Sequence, residues 1–408
     1  MLTSQNHKWR LSGLKKVAIV SCYFQHNYGS MLQALATQMA LDKLGIENET
    51  INIEGFRGEI KKAKIKYFLK ASFTSDILLS KLGMVKNVIR KKIIKDDYSN
   101  SSKLRAKRFE DFYKNNFRIS KKYESLADLS KKCESNYHSV VVGSDQLWLP
   151  ANIAANYYTL NFVPDNVNSV SYATSFGQSS LPNDSAKKAS DFLKRIKHIS
   201  VREESGQKLV KHFIGKDVPV VCDPTILFSG EEWMCIQKTE PIVKDPYILC
   251  YFLGNNPPHR EFAKKLKEVS GCKIVALVHL DEFVKSDNDY ADITPYDIDP
   301  ADFLNLIRNA SYVCTDSFHC SVFSMLYERQ FFTFRRYTRK TKSSTNSRLD
   351  TLFKMAGINN RIFVGNEDVK KIYMENIDFK RANMKLQEAR EYGFRYLKES
   401  LELDGLHN

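Results

Sequence analysis

The sequence predicts an α/β protein with two open, parallel-sheet domains that face a cleft. Short runs of β-branched and apolar residues alternate with helical segments along the 408 residues, which is typical of buried parallel strands joined by helices. Glycine, prolines and charges interrupt this alternation at 229–246, and a second series of strands and helices follows. A chain of this length is large enough to bury two cores.

We therefore assign 15–228 to an N-terminal domain, with a basic helical insertion at 57–110, and 246–380 to a C-terminal domain. A linker at 229–245 joins them, and a helix at 381–408 ends the chain. The strands predicted for the first domain lie at 16–21, 50–53, 139–144, 167–175, 198–202 and 218–223, with a helix at 30–44. Those of the second domain lie at 247–253, 273–278, 312–315, 331–335 and 361–364. Ligands of such folds bind at the carboxyl ends of the strands.

The net charge of +15 is concentrated in one segment. Between Arg57 and Arg108 there are 16 Lys and Arg against 4 Asp and Glu, together with apolar residues at helical spacing. A basic amphipathic segment of this kind is typical of a membrane-surface element. The alternative is an insertion that packs its apolar face on its own domain. We expect no nucleic-acid partner, because the segment has few aromatic residues and no nucleic-acid-binding motif.

The eight cysteines are scattered and include no Cys-x-x-Cys pair. We therefore expect neither a disulfide framework nor a zinc site. No apolar run approaches the roughly 20 residues that span a bilayer, and the first residues lack the apolar core of a signal peptide. These observations predict a cytoplasmic protein.

The most informative segment is 310–326, which is predicted to be a short strand, a polar turn and a helix. Thr315, Asp316 and Ser317 are all suitable N-cap residues. The amino end of a helix binds anions, and His319, which can titrate near neutral pH, lies in the same turn. This pattern favours chemistry on a phosphate- or carboxylate-bearing substrate, although a capped helix with a structural histidine is the simpler alternative.

The loop that follows the first strand contains Asn27, Tyr28 and, in the next helix, Gln33. These residues offer hydrogen bonds suited to a sugar and an aromatic stacking face. A loop with a purely structural role is equally compatible with the pattern.

Two further loops follow buried strands. Asp145, Gln146 and Trp148 form a combination typical of carbohydrate sites, although Asp145 as a helix cap and Trp148 in the core are the structural alternatives. Arg202 follows another strand, where its guanidinium can bind a carboxylate or phosphate with two hydrogen bonds. The alternative for Arg202 is a salt bridge to a neighbouring glutamate.

Taken in order, these loops resemble the motifs of the polysaccharide pyruvyl transferase family, over roughly 17–364. The segments that carry the resemblance are 27–34 (NYGSMLQA), 143–148 (GSDQLW), 171–177 (SYATSFG), 200–203 (SVRE), 223–225 (DPT) and 315–319 (TDSFH).

The resemblance implies a glycosyltransferase-B-like pair of Rossmann-type domains. It also implies transfer of a pyruvyl group from phosphoenolpyruvate to two sugar hydroxyls, giving a cyclic ketal. The acceptor would be a surface-polysaccharide repeat unit, commonly built on a lipid diphosphate, so the basic segment would lie at the inner face of the membrane. In this scheme His319 protonates the donor, Asp145 or His26 accepts the hydroxyl protons, and no metal or redox cofactor takes part.

One position departs from the family pattern. Some members have arginine two residues before the motif histidine, where this chain has Ser317. An arginine for the donor phosphate must then come from elsewhere, and we expect Arg202 first. Arg348, in a polar basic loop that could close over the donor, is the second candidate, and an exposed surface connection is the alternative for that loop.

Two other functions remain as alternatives. A nucleotide-sugar glycosyltransferase of the same shape would need a base and ribose pocket, for which the sequence contains no distinct signal. A non-catalytic glycan- or membrane-binding protein would not depend on His319.

Overall fold

The computed structural model describes residues 16–71, 97–278, 284, 287, 290–336 and 347–402. The middle of the basic insertion, with its predicted apolar positions at 77–89, lies outside the described residues. So does most of the polar basic loop at 342–348, except for its last two residues.

The N-terminal sheet has five parallel strands in the order β2-β1-β3-β4-β5. Their bounds are β1 Lys16–Val20, β2 Asn48–Thr50, β3 Tyr137–Asp145, β4 Asn168–Thr174 and β5 His198–Val201. The strand predicted at 218–223 is wrong. That segment makes only an isolated parallel bridge between Val201 and Val220, because Pro219 has no N–H with which to continue the ladder.

Seven helices are described in this half of the chain. They are α1 Tyr28–Lys43, α2 Arg57–Ala71, α3 Asp97–Asn116, α4 Leu126–Asn136, α5 Pro150–Ala155, α6 Asn183–Arg195 and α7 Glu204–Ile214. Short 3₁₀ turns follow at Pro224–Leu227 and Glu232–Ile236.

The C-terminal sheet also has five parallel strands, in the order β10-β9-β8-β6-β7. Its strands are β6 Tyr247–Tyr251, β7 Lys273–Ala276, β8 Tyr312–Thr315, β9 Gln330–Phe334 and β10 Ile362–Phe363. Its helices are α8 Pro257–Ser270, α9 Pro300–Asn309, α10 Phe318–Leu326, α11 Ser347–Ala356, α12 Val369–Ile372 and α13 Phe379–Ser400. The predicted α/β class with two Rossmann-like sheets is confirmed.

Each sheet has a point at which its strand order reverses. In the first sheet this point lies between β1 and β3, and in the second it lies between β6 and β8. Open α/β sheets bind ligands in the crevice outside the strands at such points. Ser30 near the start of α1, Asp145 at the end of β3 and His319 near the start of α10 lie at the carboxyl ends of these strands. The predicted site residues therefore come from both crevices.

Helix α3 joins the basic insertion to the C-terminal domain. Arg105 is buried and donates hydrogen bonds to the backbone oxygens of Val278 at 3.1 Å and Pro295 at 3.0 Å. Arg108 contacts the carboxylates of Asp299 at 2.9 Å and Asp302 at 2.6 Å. These two cations of the segment therefore serve interdomain packing and are not available to a membrane. Among the described residues, the helices are each too short or too polar to cross a bilayer.

Helix α13 packs back onto the N-terminal sheet. The Tyr396 hydroxyl donates to the Ser171 carbonyl at 3.1 Å, and the Asn168 amide donates to the Ser400 carbonyl at 2.8 Å. Gly393 lies so close to the Tyr172 hydroxyl that an added Cβ would be 2.5 Å from it. The terminal helix therefore belongs structurally to both halves of the molecule.

A buried histidine predicts how stability depends on pH. His259, in α8, is fully buried, its ring stacks on Phe334 at 4.6 Å, and neither ring nitrogen has a hydrogen-bond partner in the described structure. Burial lowers the pKa of His259 to about 4, against a weaker opposing effect of Asp316. Below the unfolded-state pKa near 6.5, the unfolded chain therefore binds a proton at this histidine more readily than the folded protein does. We expect about 2–3 kcal/mol of unfolding free energy to be lost as the pH falls from there towards 4.

Urea unfolding across this pH range measures the effect. His259→Phe should flatten the acid-side loss, while His212→Gln, which changes an exposed histidine, should leave it unchanged. An undiminished acid-side loss in His259→Phe would contradict the assignment.

Candidate active site

His319 lies in the first turn of α10, where a capped turn positions it. The Ser317 hydroxyl caps this helix by accepting from the Cys320 N–H. The Thr315 hydroxyl donates to the Tyr251 carbonyl at 2.6 Å, which fastens the turn to β6. The Asp316 carboxylate accepts two backbone N–H groups of the loop after β6, at 2.7 and 2.8 Å. The predicted N-cap residues thus build the turn that presents His319.

The imidazole of His319 is held between the two domains. Its Nε2 is 3.5 Å from a carboxylate oxygen of Asp223. On its other side the ring lies against Gly29 at the start of α1, where an added Cβ would be 2.1 Å from Nδ1. Glycine is required there because no side chain fits between the helix and the ring.

Asp223 and Arg202 form the buried centre of the site. The Arg202 guanidinium is 2.7 Å from Asp223 Oδ2, and the Ser144 hydroxyl donates to the same oxygen at 3.1 Å. Burial alone would raise the pKa of Asp223, but His319 and Arg202 outweigh it and hold that pKa far below its ordinary value. Asp223 is therefore a permanent anion that lies between Arg202 and the imidazole of His319.

Arg202 retains unused hydrogen-bonding capacity. Its Nη2 is 3.5 Å from Asp145 and its Nε is 3.8 Å from Glu203, but among the described residues neither nitrogen has a hydrogen-bond acceptor. The guanidinium lies 4.6 Å from the Phe318 ring centroid. Buried donors of this kind are costly unless an acceptor is supplied, so the geometry favours an anionic ligand beside Arg202.

Asp145 provides a second carboxylate. The Ser30 hydroxyl donates to its Oδ2 at 2.7 Å. Its backbone is left-handed, with φ of 72°, a conformation that costs a non-glycine residue about 1–2 kcal/mol and clusters at functional sites. Burial opposes its charge, but Arg202 and His319 outweigh burial and lower the pKa of Asp145. Asp145 is therefore an anion that accepts a hydrogen bond from Ser30.

Two further arginines border this cluster. Arg348, in the first turn of α11, lies 5.9 Å from the Phe318 ring. Burial, together with repulsion from Arg202, lowers the pKa of Arg348 to about 10. Arg336, after β9, donates to the Asp316 carbonyl at 3.2 Å. A bound dianion would relieve the repulsion between these guanidinium groups.

The family model for polysaccharide pyruvyl transferase matches residues 27–336. The match covers most of the chain and contains every loop of the cluster except the start of α11. The chain belongs to the polysaccharide pyruvyl transferase family. No curated protein matches it.

Solved structures with similar folds come from other sugar-metabolising proteins. UDP-N-acetylglucosamine 2-epimerase from Rickettsia bellii is 11% identical over 96% of this chain and 97% of its own, with a TM-score of 0.46. The epimerase from Methanocaldococcus jannaschii is 13% identical over 92% and 99%, with a TM-score of 0.47. The glycosyltransferase SnogD from Streptomyces nogalater is 9% identical over 97% and 100%, with a TM-score of 0.42.

Several residues predicted to contact substrate have structural contacts in this family member. The Asn27 side chain caps α1, and the buried Gln33 amide accepts from the Ser144 N–H at 2.9 Å. Tyr28 is buried between the domains, stacked on Phe303 at 4.5 Å. Its ring is therefore not presented to a ligand as the sequence suggested.

Three of the predicted site residues remain, two of them shortly after Asp145 in the sequence. Trp148 is fully buried and donates to the Tyr158 carbonyl at 3.0 Å, as its structural alternative predicted. Gln146 is half-buried beside Asp145, and its amide nitrogen has no hydrogen-bond partner in the described part of the chain. His26 is exposed, with its ring 5.7 Å from that of Phe109. Of these three, Gln146 has a polar group available next to the cluster.

Sequence reasoning missed the part that three residues play in this cluster. Asp223 was quoted in a motif but given no role, although it is the carboxylate that joins Arg202 to His319. Arg336 follows a strand in the same manner as Arg202, which was the signal that could have identified it. Gly29 lies in the motif at 27–34, but its importance comes from a contact with the other domain, which the sequence does not show.

The contact between Gly29 and His319 gives a testable prediction. Gly29→Ala should displace the imidazole, because a Cβ 2.1 Å from Nδ1 cannot be accommodated without movement. We expect activity to fall at least about tenfold, given the sensitivity of catalysis to a displacement of 1 Å. Gly58→Ala is the matched control, since Gly58 is also in the first turn of a helix but an added Cβ there meets no atom within 4 Å. Wild-type activity in Gly29→Ala would show that the ring position is unimportant.

Proposed function

We propose that this chain transfers a pyruvyl group from phosphoenolpyruvate to two hydroxyls of a sugar in a surface-polysaccharide precursor, forming a cyclic ketal. The observation that supports this most is the cluster of His319, Asp223 and Arg202 between the two sheets. It combines a candidate acid with cationic anion-binding groups in a member of the pyruvyl transferase family.

Phosphoenolpyruvate has a phosphate and a carboxylate, and the cluster offers groups for both. Two guanidinium nitrogens of Arg202 have no hydrogen-bond acceptor in the part of the chain that the structure describes. Arg348 and Arg336 supply further positive charge, and the amino end of α10 adds backbone donors. This set replaces the arginine that some family members have where this chain has Ser317.

In the proposed reaction, His319 donates a proton to C3 of phosphoenolpyruvate, which makes C2 electrophilic. Asp223 stabilises the imidazolium before this transfer. A sugar hydroxyl then bonds to C2, and the bond from C2 to the phosphate oxygen breaks. The second hydroxyl bonds to C2 and closes the ketal.

The protons balance in this scheme. Two hydroxyl protons are released, of which one restores the proton on His319 and the other leaves with phosphate. Asp145 is the proposed acceptor of a hydroxyl proton because it is charged and already hydrogen-bonded to Ser30. His26 is the alternative base, on the exposed loop before α1. The scheme uses no metal or redox cofactor.

The proposed acceptor is a lipid-diphosphate-linked oligosaccharide, modified at the cytoplasmic face of the membrane. Ser30 and Asp145 lie at the carboxyl end of the N-terminal sheet, and Gln146 follows Asp145. We assign this side to the acceptor. The C-terminal sheet supplies His319 and Arg336, which we assign to the donor.

Incubation with phosphoenolpyruvate and a panel of lipid-diphosphate-linked oligosaccharides tests the proposal. Phosphate release, together with the mass of an added pyruvyl ketal, is the expected result. If no acceptor is converted and phosphoenolpyruvate does not raise the melting temperature, the donor assignment fails. Stabilisation by a nucleotide sugar instead would favour the glycosyltransferase alternative.

A further inference from the structure

Helix α2 has apolar residues on two opposite sides. Ile60 is buried and Ala63 packs against the core of the N-terminal domain. Ile65 and Leu69 point the other way, with 48% and 68% of their surfaces exposed. Residues four apart lie on one helix face, so Ile65 and Leu69 form a continuous apolar stripe on the surface.

Lysines border this stripe on both sides. At 3.6 residues per turn, Lys61 lies on one flank of the Ile65–Leu69 stripe, and Lys62 and Lys66 lie on the other. All three lysines are exposed. An apolar centre with a cationic border is the arrangement of helices that lie in the interface of a bilayer, with apolar side chains among the acyl chains and lysines at the headgroups.

We propose that this face of α2 docks on an anionic lipid bilayer. The charges are complementary to anionic headgroups, and the apolar centre distinguishes this partner from a nucleic acid, whose phosphates are bound by cationic and polar groups. The two described helices of the basic insertion therefore have different roles. Helix α3 uses Arg105 and Arg108 to contact the C-terminal domain, whereas the outer face of α2 contacts the membrane.

The position of α2 connects this face with the acceptor side of the site. Arg57, at its start, lies 5.5 Å from the ring of Phe24 in the loop after β1. Further along, α2 packs on α5, which begins five residues after Asp145. Docking through α2 would therefore hold the loops of Ser30 and Asp145 close to the bilayer. The docking face itself does not depend on the proposed reaction.

Flotation of the full chain with vesicles tests the proposal. Binding is expected to phosphatidylcholine vesicles containing about 30 mol% phosphatidylglycerol, weakened by salt, and much less to phosphatidylcholine alone. Lys62→Gln with Lys66→Gln should weaken binding to the anionic vesicles by about 10- to 30-fold, since each lysine near such a surface contributes about 1 kcal/mol. Ile65→Ser with Leu69→Ser should weaken it about tenfold through loss of apolar burial.

Matched variants control for general loss of charge and apolar surface. Lys187→Gln with Lys188→Gln removes two exposed lysines from α6, and Met374→Ser with Met384→Ser removes two exposed apolar side chains near the carboxyl end. Neither pair should affect flotation. Equal binding by the α2 variants and these controls, or binding to duplex RNA in place of vesicles, would overturn the proposal. Stabilisation by phosphoenolpyruvate, measured without vesicles, tests the proposed function separately.

Discussion

His319→Ala is expected to lower the rate of pyruvyl transfer by about 10²- to 10⁴-fold, the usual contribution of a positioned acid. The imidazole is the titratable group at the amino end of α10, and Asp223 lies 3.5 Å from its Nε2. Removing it eliminates the proposed proton donor to C3, while Asp223 keeps its contact with Arg202 at 2.7 Å. Initial rates of phosphate release, measured at saturating phosphoenolpyruvate, provide the test.

The melting temperature and phosphoenolpyruvate binding of His319→Ala should stay close to those of the unmodified chain, so that the loss is one of turnover. His198→Ala is a suitable control because it changes a partly exposed histidine at the amino end of β5, the end of the strand opposite to the site. A rate within about threefold of wild type in His319→Ala would remove it from the mechanism, because a positioned acid contributes far more.

Arg202→Leu is expected to destabilise the fold and to abolish phosphoenolpyruvate binding. Its guanidinium is the cation nearest to three buried or half-buried carboxylates, those of Asp223, Asp145 and Glu203. Leaving buried charges uncompensated costs about 3–5 kcal/mol, so both unfolding free energy and ligand affinity should fall. Urea unfolding and the thermal shift with phosphoenolpyruvate measure the two effects.

Arg348→Gln separates ligand binding from folding. Burial and Arg202 lower the pKa of Arg348 to about 10, against weaker attraction from Asp145 and Glu203, so its charge contributes little to folding. This variant should therefore keep its unfolding free energy within about 1 kcal/mol of wild type while losing much of the phosphoenolpyruvate-induced thermal shift. An unfolding free energy equal to that of wild type in Arg202→Leu, or an unchanged thermal shift with phosphoenolpyruvate in Arg348→Gln, would contradict these roles.

The two-sheet architecture could be predicted because its strands are short apolar runs, which can be recognised in the sequence without knowledge of distant contacts. The strand at Tyr312–Thr315 was predicted at its observed bounds, and the capped turn before α10 follows from local hydrogen bonding by Thr315 and Ser317. The false strand at 218–223 has the same β-branched composition. It differs because Pro219 interrupts the hydrogen-bond ladder with the neighbouring strand. That neighbour cannot be identified from the local sequence pattern.

The site was predictable only in part, since its geometry depends on the meeting of two domains. His319, Asp145 and Arg202 were identified because they follow strands whose carboxyl ends converge. The role of Gly29 depends on the opposite domain. Tyr28 was assigned to a sugar because its chemistry permits that, whereas its burial against Phe303 is a result of domain packing.

The contact of α3 with the C-terminal domain has a mechanical consequence for the cleft. Arg105 donates to backbone carbonyls, including those of Val278 and Pro295, and carbonyls cannot rotate away without moving the chain. A change in domain orientation that preserves these bonds must carry α3 along with the C-terminal domain. An insertion that would look dispensable by its composition therefore constrains how the two domains can move relative to each other.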